Sequence, residues 1–191
     1  MTRSRRTSPL TREELLGAAL RIVDAGGLAA LTMRRLADEV GLEAMSLYHH
    51  VPSKEALLDL TVDRMRSEMR LDDLSGEWTD VLEAIFVEFW RVLAAHPNML
   101  TLAARRTGTA ATSGLDYLIE HGFERDDAVE LYQSLVAFAV GFATLGAGAG
   151  GDWPGLPADL VERLRDFRSV TFRRTLRSIM AGYATRIGAA G

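Results

Sequence analysis

The 191-residue chain is 48% hydrophobic and 25% charged, the balance of a globular protein long enough to bury a core without covalent staples. It contains 0 cysteines, which excludes a disulfide framework, thiolate zinc sites and a cysteine nucleophile. A net charge of −4 argues against a nucleic-acid partner, yet Arg3, Arg5, Arg6 and Arg12 all precede the first acidic residue while Asp72, Asp73, Glu77, Asp80 and Glu83 crowd the middle. The basic start fits either a solvated tail or a phosphate-seeking arm.

The opening MTRSRRTSPLT is cationic, but the TREELLGAAL that follows is charged and helical in period where a secretory signal would be continuously apolar. No uninterrupted apolar run has the length of a membrane span. The expectation is a soluble, cytoplasmic chain with no membrane partner.

Apolar residues recur at spacings of three and four, and no segment alternates long enough for a strand, so the predicted fold class is all-α. Thr11 and Glu14 form a capping box, flanked by Leu10 and Leu15 as a hydrophobic staple, and Gly26 with Gly27 closes the first helix. Thr32 caps a short second helix that ends at Gly41. A third is expected from Glu43 to His50, with Leu47 and Val51 inward, before Pro52 stops it and Ser53 caps the next helix, KEALLDLTVDRMRSEMRL. Short helix, glycine turn and short helix make a helix-turn-helix pattern. Beyond Leu71 the helices lengthen: Glu77 to Ala95, Pro97 to Arg106, Thr112 to His121, Asp126 to about Ala147 and Ala158 to about Arg186. The domain boundary is placed inside the helix after Ser53, giving units 1–60 and 61–191 that share it.

The stretch GLEAMSLYHH admits three readings. Adjacent helical residues point about 100° apart, so His49 and His50 cannot share a metal ion, and neither a metal nor a catalytic site is expected there. Two histidines at a solvent-exposed helix end are the bland alternative. As a recognition helix, the segment points Ala44, Met45, Ser46, Tyr48 and His49 away from the core. Small and apolar side chains can meet thymine methyls, Ser46 can bond a base edge, and Tyr48, His49, His50 and Lys54 suit phosphate oxygens.

The run LTMRRLADEVGLEAMSLYHHVPSKEALLDL, Leu31 to Leu60, resembles the DNA-binding domain of the tetracycline repressor family, with Tyr48, His50, Val51, Lys54 and Ala56 to Asp59 in register. The resemblance implies a ligand-responsive homodimeric repressor, not an enzyme, that binds a palindromic double-stranded DNA operator and is released by a small-molecule inducer. It implies that Thr32 and Arg34 join the DNA-binding set, Arg34 reaching a base. Ala44, Met45 and Ser46 would face bases, and Tyr48, His50 and Lys54 would hold phosphates. Ile119 to Gly146 resembles, more weakly, the helix that lines the ligand cavity and pairs subunits in that family. Phe142 stands where the tetracycline-binding members carry a histidine, so tetracycline is not the expected ligand, and no cofactor or metal is expected.

Candidate ligand-binding residues are Phe86, Trp90, Met99, Leu102, Phe138 and Phe142, apolar positions that serve equally as plain core, together with Arg105. Arg105 and Arg106 fit either an anionic ligand or a solvated helix end. GAGAGG at Gly146 to Gly151 has the spacing of a dinucleotide fingerprint but follows a helix, so it reads as a loop. Ala137, Val140, Gly141 and Thr144, with Leu160, Leu164, Phe167, Val170, Leu176 and Ile179, could pair with a twofold mate as a four-helix bundle. The competing readings are a DNA-binding regulator without a ligand and an all-helical enzyme.

Overall fold

The computed structural model describes residues 10–72, 74–106, 108–149, 155–164 and 169–189, and every regular element among them is helical. The basic residues Arg3, Arg5 and Arg6, together with Phe167 and Gly151, lie outside the described residues.

Helix α1 (Arg12–Gly26) opens on the expected capping box. The Thr11 hydroxyl accepts from the Glu14 amide at 3.2 Å and the Glu14 carboxylate accepts from the Thr11 amide at 2.9 Å. Seven residues of α1, from Leu15 to Val23, are buried. A single 3-10 turn, Leu28–Ala30, leads to α2 (Met33–Val40), where the Thr32 hydroxyl caps the Arg35 amide at 3.1 Å. Gly41 ends α2 in the left-handed conformation, φ 72° and ψ 30°, which frees the Leu42 amide to bond back to the Ala37 carbonyl at 2.9 Å.

Helix α3 (Ala44–Leu47) is shorter than the sequence suggests. Tyr48 to His50 continue as turns, with amides bonded three residues back, and Leu47 and Val51 are both buried. The proximity of Pro52 accounts for the early end, since proline pushes its predecessor out of helical geometry. Ser53 caps α4 (Lys54–Arg66), its hydroxyl accepting from the Ala56 amide at 3.0 Å. Leu57, Leu58, Thr61, Val62 and Met65 are the buried positions of α4, and the buried Thr61 hydroxyl is satisfied by the Leu57 carbonyl at 2.7 Å.

Helix α5 (Trp78–Ala95), the short α6 (Leu100–Arg105), α7 (Gly108–Glu120) and α8 (Arg125–Thr144) build the second unit. The C-terminal segment, expected as one helix, is described as two, α9 (Ala158–Leu164) and α10 (Ser169–Ala189), on either side of residues outside the described set. α8 packs on α5, α7, α6 and α10, and α10 also packs on α5. The core of this bundle is aromatic. Phe172 of α10, fully buried, stacks on Trp90 and Phe138 with ring centroids 5.0 Å apart in both pairs and meets Phe142 edge-on at 5.3 Å.

Glu83, a buried carboxylate of α5, receives Arg173 at 2.8 Å and also Arg177, both from α10. Burial pushes this carboxyl up, but the two guanidinium hydrogen bonds outweigh burial and hold it below its ordinary value. α10 is thus tied to α5 by an ion pair at one level and an aromatic stack at another.

The helical run Arg125–Gly148, 24 residues long, contains a stretch of mean hydropathy 1.5, long and apolar enough by length and composition to cross a membrane, although charged residues interrupt its first turns. Only 33% of that window is buried within the chain. α8 therefore carries apolar surface on faces that its own neighbours do not cover.

Truncating Phe172 to Ala should lower stability by about 3–5 kcal/mol, since it removes a fully buried ring shared by three neighbours. Urea unfolding with an unchanged m-value is the measurement.

Candidate nucleic-acid interface and adjoining cavity

The helix-turn-helix unit separates its core from a polar face. Leu36, Leu47 and Val51 are fully buried, whereas Thr32, Arg34, Tyr48, His49, His50 and Lys54 are exposed and Ala44 and Ser46 half-buried. Met45, a large apolar side chain, is 74% exposed. All nine candidate DNA-contacting residues therefore lie on accessible positions of three consecutive elements: the start of α2, α3 with its following turn, and the start of α4. The amino end of α4 adds unsatisfied amides beside Lys54, a favourable place for a phosphate.

The other end of α4 reaches a different feature. Asp63, Arg66 and Ser67 form one wall of a cavity of about 720 Å³, closed by Val81, Leu82, Ile85, Phe86 and Phe89 of α5, Ser113, Gly114 and Tyr117 of α7, and Tyr132 and Val136 of α8. Met69, Leu71 and Leu74 line it from the connection between α4 and α5. That volume is in the range of small-molecule sites. Tyr132 lies close over Gly114, where a Cβ would fall 2.6 Å from the ring, so the absent side chain makes room for the phenol.

Of the candidate ligand-binding residues, the structure places Phe86 on this wall. Trp90, Phe138 and Phe142 belong to the cluster around Phe172, and Met99 is fully buried at the turn before α6. Leu102 and Arg105 line a shallower groove against Leu28, Glu55 and Asp59. Arg66, Tyr117 and Tyr132 were not singled out from the sequence. A signal for Arg66 existed: Leu58 and Val62 are buried at spacings of four, and Arg66 continues that stripe, an arginine where the helix pattern calls for an apolar residue.

Three polar ties join residues 96–106 to α1, to α4 and to Glu68 just beyond α4. Arg106, just past α6, donates to the carboxylates of Glu55 and Asp59 on α4, and hydrogen bonding to Asp59 raises its pKa. The Asn98 side-chain amide donates to the Val23 and Asp24 carbonyls at 3.1 and 2.9 Å, which satisfies carbonyls at the end of α1. His96 ends α5 with both ring nitrogens against carboxylates, Nδ1 at 2.9 Å from Asp24 and Nε2 at 3.0 Å from Glu68. Both nitrogens donate only in the imidazolium form. Burial alone would lower the pKa of this ring, but the hydrogen bonds to Glu68 and Asp24 outweigh it and raise the pKa above the ordinary histidine value.

A short, largely exposed helix on a compact three-helix unit, joined through one helix to a bundle with a cavity, defines a helix-turn-helix protein with a second, cavity-bearing domain. A family model described as bacterial regulatory proteins, tetR family, matches residues 15–60. An HTH-type transcriptional regulator of Saccharopolyspora erythraea is 35% identical over 144 residues, 71% of this chain and 61% of that protein. Tetracycline repressor protein class C of Escherichia coli is 32% identical over 143 residues, 69% of this chain and 64% of the repressor. Among solved structures, apo ActR from Streptomyces coelicolor superposes with a TM-score of 0.75 at 28% identity, covering 97% of this chain and 100% of that one. ActR in complex with actinorhodin gives 0.70 at 28% identity, over 95% and 100% of the two chains. Residues 15–60 thus match the tetR family of bacterial regulatory proteins, and the chain spans 61% and 64% of the lengths of the two relatives named by sequence.

The His96 bridge gives a pH prediction. Its folded-state pKa is raised, so its stabilising contribution is complete below the unfolded value of about 6.5 and is lost as pH rises through the folded value. Urea unfolding across that window should show wild type losing stability relative to His96→Gln as pH increases; a difference independent of pH would contradict an imidazolium bridge.

Proposed function

We propose that the protein is a ligand-responsive transcriptional repressor that binds a palindromic operator as a homodimer and is released by a small-molecule inducer. The observation that carries this reading is α4. Its first residue, Lys54, stands on the face with the recognition helix, and its last, Arg66, stands in the wall of the cavity. A ligand that changes the position of the cavity wall acts on a rigid element of the DNA-binding unit.

The DNA-binding set comprises Thr32, Arg34, Ala44, Met45, Ser46, Tyr48, His49, His50 and Lys54. Arg34 reads a base, Ala44, Met45 and Ser46 meet base edges and methyl groups, and Tyr48, His50 and Lys54 hold phosphates. The net charge of −4 does not oppose this, because the relevant charge is that of the contacting face.

The homodimer is supported by uncovered surface on the bundle. Ala137 and Gly141 of α8 are exposed, Leu145 is 43% exposed and Val170 at the start of α10 is 71% exposed. A Cβ at Gly141 or at Gly182 of α10 would meet nothing within 4 Å. Such a face suits a twofold mate packed as a four-helix bundle, which would set two recognition helices in successive major grooves about one DNA turn apart. ActR, a structural neighbour, is solved in complex with actinorhodin, which supports a small-molecule ligand for this chain. The cavity also favours a ligand-responsive regulator over one without a ligand, which needs no such space. The protein acts by binding, without turnover, in the cytoplasm where its operator lies.

Selection of bound duplexes from a random library at fixed moderate salt tests the reading. The expected result is an enriched palindrome, with Arg34→Ala weakening binding by about 1–3 kcal/mol and relaxing one position in each half-site. Binding without an enriched sequence, or an Arg34→Ala variant that reads the same palindrome equally well, would overturn it.

A further inference from the structure

The cavity wall carries charge only as a matched pair. Asp63 and Arg66, one turn apart on α4, both line it, and their side chains approach to 4.0 Å. The Arg66 guanidinium carbon also lies 5.9 Å from the centroid of Phe89, over the ring, so the cation is held by a carboxylate and a ring face together. Every other described residue of the lining is uncharged, and most are apolar. Phe86 stands edge-on to Phe89 at 6.2 Å and to Tyr132 at 6.1 Å.

Tyr132 supplies a different kind of polar group. Its ring packs over Gly114, where a Cβ would fall 2.6 Å from it, and over Phe86. Its hydroxyl is hydrogen-bonded to none of the described residues. Burial raises the phenol above its ordinary pKa against the opposing charge of Arg66, so it keeps its proton at neutral pH and can donate.

We propose that the cavity takes an uncharged, flat and largely apolar molecule that carries a carbonyl oxygen, its rings against Phe86 and Val136 and its oxygen accepting from the Tyr132 phenol. This assignment of a ligand class rests on the reading of the cavity as the inducer site. A ligand of either sign would be attracted by one member of the Asp63–Arg66 pair and repelled by the other. It would also surrender its hydration to a wall with no net charge to offset that loss. An uncharged ring system gives up little on leaving water and gains from the apolar surface it covers. Aromatic walls favour flat partners, which stack or meet them edge-on. Arg105, the residue whose sequence position suggests an anion partner, is exposed in the groove by α4 instead.

The test is equilibrium fluorescence titration with prodan, an uncharged naphthalene ketone, and with N-phenylnaphthylamine, an uncharged probe without a carbonyl. A naphthalene carboxylate and a naphthalene trimethylammonium serve as anionic and cationic competitors of prodan. The proteins are the full chain as wild type, Tyr132→Phe and Val136→Trp, each checked for its unfolding midpoint. Wild type should bind prodan at least about tenfold more tightly than either charged competitor. Tyr132→Phe should weaken prodan by about three- to tenfold and leave N-phenylnaphthylamine unchanged, whereas Val136→Trp should weaken both by filling the cavity. A charged competitor that binds as tightly as prodan would overturn the ligand class and leave the cavity reading intact. So would a Tyr132→Phe variant that binds prodan as wild type does, or that weakens both uncharged probes alike. Failure of wild type to bind any probe, or insensitivity of both uncharged probes to Val136→Trp, would overturn the ligand class together with the reading it rests on.

Discussion

A single helix belongs to two cores. The 13 residues of α4 span about 20 Å, and its buried residues, from Leu57 to Met65, are packed by α1 on one side and by α5 and α6 on the other. A helix is stiff along its axis because every interior amide is bonded within it. Displacement at one end is therefore transmitted to the other as rotation or translation, not absorbed by a loop. The exposed face at the start of α4 and the cavity at its other end are consequently parts of one mechanical element, with Ser53 fixing where that element begins.

The polar ties decide how far the element can move. Arg106 holds the middle of α4, Asn98 holds the end of α1, and His96 holds Asp24 and Glu68 together. All three come from the short stretch between the end of α5 and the end of α6, so that stretch grips the DNA-binding unit at separated points. Under the proposed function, a ligand would change operator affinity only by as much as it binds one arrangement of this grip more tightly than another. Exposed ion pairs contribute little to stability individually. Their place here is the contact between the 96–106 stretch and the ends of α1 and α4, whereas α1 and α4 pack directly on each other.

The legible parts of the fold were those governed by local chemistry. Thr11, Thr32 and Ser53 announce helix starts because a hydroxyl there satisfies an otherwise unbonded amide, and Gly41 announces an end because its φ of 72° suits a residue without a Cβ. The inward positions Leu47 and Val51 follow from spacing alone. The cavity was less legible because its walls come from α4, α5, α7 and α8, and helical periodicity says which residues face inward without saying which faces meet a neighbour and which meet empty space. Phe86 and Trp90 sit four apart on one helix, yet one faces the cavity and the other stacks on Phe172. Tyr132 was hidden for the same reason, since its place depends on the missing side chain of Gly114 in a different helix.

The brevity of α3 bears on how such a protein can change over time. Of its four residues only Leu47 is buried, and the helix is held by Gly41, Leu47 and Val51, none of which points toward the outer face. Met45 and Tyr48 are exposed and can therefore be exchanged with little disturbance of the core, whereas Ala44 and Ser46 are half-buried and Ala44 packs against it. The exposed positions of the segment are thus largely separate from those that hold it, so under the proposed function a gene duplicate would acquire a new operator through a few substitutions with little loss of stability.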